Sequence, residues 1–187
     1  MSGDSLRGRL LVATPLLEDP NFSRAVVLVL EHTAADGALG IVLNRPSETK
    51  VAEHFAEWVA RVVRPPVLFV GGPVAPGAVI ALAEGGPDAE EMPGWTRVLG
   101  ALGSLDLARD PDDVQPHVAA LRIFVGYAGW AARQLEDELA QQAWFVVDAE
   151  PGDVFTDGPD DLWRSVLRRQ RGGLAVFAAF PDDPTSN

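Results

Sequence analysis

The stretch AVVLVLEHTAADGALGIVLN, Ala25 to Asn44, decides how this chain folds. Two β-rich apolar runs flank a polar segment that ends in Asp36-Gly37, the pattern of a β-hairpin. The runs are nearly continuous instead of alternating, which predicts strands inside a sheet covered on both faces. With a loop over Thr33 to Gly37, His32 is expected opposite Ala38 and Asn44 opposite Val26. His32 and Asn44 then stand about 20 Å apart, at ~3.3 Å per residue.

Working outward, MSGDSLRGRLLVATPLL (residues 1–17) is broken by Arg9, Thr14 and Pro15 and runs into Glu18 and Asp19, so it reads as the start of a strand and not as a leader. After Asn44-Arg45-Pro46, the segment TKVAEHFAEWVARVV spaces Val51, Phe55, Trp58, Val59 and Val62 as a one-faced helix stopped by Pro65-Pro66, with Ser47 or Thr49 to cap it. Residues 67–70 and 78–83 read as strands around a Gly- and Pro-rich turn, and AEGGPDAEEMPG (83–94) as a mobile acidic surface loop. Further on come a strand over 95–99, a weak helix over 112–121 handicapped by Pro116, and a strand over 122–126. A helix over 129–142 carries Leu135 and Leu139 on one face. AWFVVDA is a strand, residues 160–170 form a helix, and LAVFAAF closes the chain as a strand.

With 187 residues, 47% of them hydrophobic, the chain has the length and apolar content of one domain spanning residues 1–187. Acidic side chains number 27 against 15 basic ones, a net charge of −12 that repels phosphate backbones and anionic lipid surfaces. There is no cysteine, which removes disulfides, thiolate nucleophiles and zinc ribbons. No apolar run approaches the ~20 residues of a membrane span. The location expected is the cytoplasm.

Chemical motifs are sparse. His32, His54 and His117 have no HxH, HExxH or paired ExxH spacing, and the patch Glu53, His54 and Glu57 lacks a matching patch on another helix, so no metal is expected. Gly72 to Gly77 has the spacing of a P-loop, but Ala78 and Val79 stand where lysine and a hydroxyl residue are required. Gly71-Gly72-Pro73 is instead a tight strand exit. There is no GxGxxG and no GxSxG, and no cofactor is expected.

Two groups stand out. Glu31 and His32 are titratable neighbours at the end of an apolar strand and are the candidate acid–base pair, although a histidine bonded to a loop serves structure equally well. GYAGWAARQLEDEL (126–139) gathers Tyr127, Trp130, Gln134 and Glu138 at a strand-to-helix junction, a place where many α/β folds bind ligands. Gln134 and Glu138 share a helical face, with Glu136 turned away from both. The bland alternative is an aromatic corner with an exposed acidic helix.

Taken together, LVATPLLEDPNFSRAVVLVLEH, GALGIVLNRP, LFVGGPV and GYAGWAARQLEDELAQQAWFVVDAEPGDVF followed by LWRSVLRRQ resemble the AlgH/YqgE family of bacterial proteins over residues 10–170. The resemblance implies an α+β domain with a curled, mostly antiparallel or mixed β-sheet, either open or closed as a barrel-like sheet, and about four packed helices, without a recognised catalytic motif. Its customary label, transcriptional regulator, finds no helix-turn-helix and no basic patch in this sequence. The chain departs from the family where Leu82 is followed by Ala83 instead of histidine. The function expected is a non-enzymatic regulatory or adaptor protein that binds another protein or a small ligand, with neither nucleic acid nor membrane as partner. Its binding residues are expected to be Asn44, Arg45, Gly71, Gly72, Tyr127, Trp130, Gln134 and Glu138. The alternatives are an enzyme acting on a small metabolite through His32 and Glu31, and direct regulation at DNA.

Overall fold

The hairpin forms as its apolar runs require. In a computed structural model that describes residues 5–182, strands β1 (Arg9–Ala13), β2 (Val26–Thr33) and β3 (Gly37–Val42) lie side by side, and Val26 to Leu30 are all buried. The continuous hydrophobicity has a two-faced cause. In β1, Leu10 and Val12 join one core cluster while Leu11 and Ala13 join another on the opposite side of the sheet.

The register is as expected at the loop and shifted at the far end. His32 faces Ala38 and Thr33 faces Gly37, but a bulge between Val29 and Glu31 moves the pairing by one residue, so Val27 faces Val42. Leu43, not Asn44, therefore takes the position opposite Val26 and bonds its carbonyl at 2.8 Å.

Beyond the hairpin follow β4 (Pro46–Lys50), β5 (Val67–Val70), β6 (Val74–Gly85), β7 (Trp95–Leu99), β8 (Leu102–Leu105), β9 (Val118–Trp130) and β10 (Trp144–Asp148). Thirteen-residue β9 is the spine: its first part pairs with β6, its last part with β3, and β5 runs parallel to it with Phe69 opposite Phe124. The sheet order is β10-β1-β2-β3-β9-β6-β8-β7, with β4 and β5 attached at one side. Apart from the β5–β9 pair every named strand pair is antiparallel, and the sheet curls as an α+β single domain of the expected class. The helices are short: α1 (Pro111–Val114), α2 (Gln134–Ala140), α3 (Pro151–Val154) and α4 (Leu162–Arg168). Among the described residues no helix is long and apolar enough to cross a membrane.

Several expectations give way to tertiary pairing. The helix expected after Pro46 is absent: residues 46–50 are β4, Ser47 Oγ accepts the Thr49 N–H instead of capping, and Val51–Glu53 and Ala56–Arg61 are 3-10 turns. Val51 and Trp58 still bury their apolar surface, so the hydrophobic spacing reported burial correctly and the period wrongly. In the acidic stretch, Ala83 to Gly85 belong to β6, and Ala89 and Met92 anchor the following turn in the core. The helix expected over 112–121 stops before Pro116, and β9 starts at Val118. Residues 129–130 likewise belong to β9, and α2 starts only at Gln134. Strand β8 goes unseen in the sequence because Leu102-Gly103-Ser104-Leu105 is short and glycine-containing. The expected closing strand is a 3-10 helix, Gly172–Ala179, lying against α4, whose Arg164 donates to the Ala178 and Phe180 carbonyls at 2.9 Å each.

Candidate functional site

The junction block builds a closed hydrogen-bonded corner. Trp130 at the end of β9 and Trp144 at the start of β10 both aim their indole N–H groups at one oxygen, Glu138 Oε2, at 2.9 and 2.8 Å. The other oxygen accepts from Gln134 Nε2 at 2.9 Å, and Gln134 Oε1 accepts the Ala131 N–H at 3.0 Å. The spacing of these side chains follows from the helix: Gln134 and Glu138 are one turn apart in α2. Phe22 stacks on Trp130 with centroids 6.2 Å apart and meets Trp144 edge-on at 5.6 Å. Trp130 is only 6% exposed, so its indole is a core group, while Gln134 lies at the surface.

Glu138→Ala leaves two buried indole donors and an amide without an acceptor. The expected loss is about 3 kcal/mol of stability, read from the urea midpoint, with Glu138→Gln costing about 1 kcal/mol because one carbonyl still serves the indoles. Equal stability of the alanine variant and the parent contradicts the corner as a stabilising unit.

Glu136, turned away from that face, reaches the hairpin. His32 Nδ1 accepts the Leu6 N–H at 3.0 Å and His32 Nε2 lies 2.8 Å from Glu136 Oε1, which assigns the ring proton to Nε2. Partial burial works against ionisation of Glu136, yet the hydrogen bond from His32, its own backbone N–H and the nearby Arg133 hold its carboxyl below the usual range. The expected Glu31–His32 pair does not form: Glu31 is exposed, and both His32 nitrogens are engaged elsewhere. Among the described residues no group of three or more His, Cys, Asp or Glu side chains is placed to hold a metal ion.

Asn44, 6% exposed, accepts the Val26 N–H at 3.0 Å and donates to the Arg24 carbonyl at 2.9 Å. It thereby holds the backbone at Arg24, a non-glycine residue with φ 55°. Gly71 and Gly72 cross over β9, where Gly72 meets the backbone of Tyr127 and leaves no room for a side chain. The eight expected binding residues thus divide into the Trp130–Gln134–Glu138 corner and a second group, Asn44, Arg45, Gly71 and Gly72 beyond strand ends with Tyr127 of β9 against Gly72. Arg45 and Gly72 share the wall of a cavity of about 300 Å³.

What the sequence reading missed is a gathering of positive charge beside Asn44. Arg24, Arg45 and Arg164 line a cavity of about 250 Å³ together with Asn44, Ser23 and Trp163. Arg24 lies over the Trp163 ring at 4.3 Å, and burial lowers its pKa, opposed by Asp182 and reinforced by Arg164. Arg45 donates to the Ser23 carbonyl and is likewise lowered by burial. The cavity also holds carboxylates: Asp160 lines it, and Asp182 reaches Arg164 at 2.6 Å. Nothing in local sequence announces this cluster, because residues 24, 45 and 164 come from three separate parts of the chain.

Comparison with known proteins agrees with this architecture. The AlgH-like family model matches residues 10–175. A UPF0301 protein of Streptomyces coelicolor is 54% identical over 186 residues, covering 98% of this chain and 96% of its own length, and one from Thermobifida fusca is 50% identical over 192 residues, with coverage of 98% and 96%. A crystal structure of a Corynebacterium diphtheriae protein superposes with a TM-score of 0.89 at 34% identity, covering 96% of this chain and 95% of that one. The solution structure of the AlgH protein from Pseudomonas aeruginosa gives a TM-score of 0.70 at 28% identity and 98% coverage of each. Sequence and fold together place this chain in the AlgH-like family, to which it belongs.

Proposed function

We propose that this chain is a non-enzymatic cytoplasmic adaptor or regulator that binds a small anionic ligand at the cavity formed by Arg24, Arg45 and Arg164. The observation that carries the reading is the convergence of three guanidinium groups in one cavity of a chain with net charge −12. On a chain of net negative charge such a cluster offers anions a local attraction, and arginine's fork suits carboxylates and phosphates. The Glu31–His32 acid–base alternative loses support from the engagement of His32 with Leu6 and Glu136. Direct DNA reading is opposed by the same net charge.

Titration calorimetry with inorganic phosphate at low ionic strength tests the reading. Binding at about millimolar strength is expected, weakened about tenfold or more in Arg164→Gln by loss of a charged donor. Absence of binding by the parent, or identical binding by the variant, overturns it.

A further inference from the structure

The arginine cavity is one end of a longer trough. A second cavity, about 460 Å³, is walled by Leu16, Leu139, Trp144, Phe145, Phe177 and Phe180. A third, about 400 Å³, lies between the two: it shares Leu16 and Phe180 with the apolar cavity and Ser23, Arg24 and Asp182 with the charged one. The middle cavity, between the Pro15–Glu18 loop and the Phe180–Asp182 segment, therefore adjoins both of the others. Leu16 is 72% exposed and Phe180 41%, so apolar side chains stand in solvent along the way.

At the charged end the chain supplies its own carboxylate. Asp182, itself strongly exposed, lies 2.6 Å from Arg164 Nη2 and 3.6 Å from Arg24 Nη1, and that Arg24 nitrogen is buried without a hydrogen-bond partner among the described residues. A buried guanidinium nitrogen half-served by a surface carboxylate is an incomplete site.

We propose that the trough binds a single-chain amphiphilic carboxylate, its head on Arg24 and Arg164 in place of Asp182 and its apolar tail between Leu16, Phe177 and Phe180. This inference rests on the anion reading of the arginine cavity and adds the tail. The charge pattern argues for one negative head and against a polyanion, because Glu18 and Asp160 also line the walls. Apolar walls with few polar groups at one end are the usual build of a small-molecule site.

Titration calorimetry on the full chain with octanoate, acetate and octan-1-ol tests it. Each buried methylene raises affinity about fourfold, so octanoate is expected to bind about 60-fold or more tightly than acetate if only three are buried. Octan-1-ol, without the head, is expected to bind at least about tenfold more weakly than octanoate. Leu16→Asp, at an exposed position that leaves the core intact, is expected to remove most of the tail's gain while phosphate binding stays. Asp182→Asn is expected to strengthen octanoate binding severalfold by freeing the arginines. Octanoate no tighter than acetate, or octan-1-ol equal to octanoate, overturns the amphiphile inference while phosphate binding still upholds the anion site. Loss of phosphate binding overturns both.

Discussion

Arg122→Ala is expected to cost about 4 kcal/mol, because it strands buried carbonyls and opens a cavity at once. Arg122 sits in the middle of β9 and is 0% exposed. Its Nη1 donates to the carbonyls of Val154 and Thr156 at 2.8 Å each, its Nη2 donates to the Arg64 carbonyl, and its guanidinium lies 4.2 Å from the centre of the Phe69 ring. Two segments far apart in sequence thus share one cation. Burial lowers its pKa to about 10, offset by the charge of Asp157, so it remains protonated at neutral pH. Lysine, a point charge without the fork, is expected to recover less than half of the loss, and methionine to restore volume without the three carbonyl bonds. Urea unfolding followed by tryptophan fluorescence measures all three; a deficit for alanine under about 1 kcal/mol contradicts this account.

Gly72→Ala is expected to cost about as much, by steric conflict instead of lost bonding. Gly72 has φ 152°, and a Cβ there would lie 2.2 Å from both the carbonyl carbon and the oxygen of Tyr127. Backbone on β9 cannot yield as a flexible side chain would, since Gly71 is itself bonded to it through the Val125 carbonyl at 2.8 Å. Across the same contact Gly126, at φ 72°, brings its own Cβ position within 2.4 Å of the Gly72 carbonyl oxygen. A loss of about 4 kcal/mol corresponds to a drop of roughly 8–16 °C in Tm for a chain of this size. Gly77→Ala, where nothing lies within 4 Å, is the control and is expected to change stability by no more than about 0.5 kcal/mol. A Gly72 variant as stable as the control contradicts a structural role for this glycine.

Both residues illustrate what a linear reading sees. Gly71-Gly72 was legible as a tight strand exit, since glycine pairs before proline mark backbone freedom, but the partner that demands the freedom, Tyr127, was not. Arg122 reads only as the first residue of a strand over 122–126. His32 stands out in the sequence, yet its partner is Glu136 and not adjacent Glu31. Asn44 and Arg45 are legible as strand-end polar residues, and the arginine cavity beside them is not, because Arg24 and Arg164 join Arg45 there only in the folded chain.

By itself the sequence determined the hairpin, its loop register, the two-sided burial of its strands and the family to which the chain belongs. Those properties depend on neighbours along the chain: side-chain periodicity, turn chemistry and ordered motif blocks. Only the tertiary structure decided that Thr49 to Val62 abandons its helical spacing, that LAVFAAF coils against α4, and that Arg24 and Arg164 meet Asp182. Strand pairing and apolar burial outweigh helix preferences of a few tenths of a kcal/mol per residue. Charges meet in a cavity through long-range closure, which no local pattern encodes.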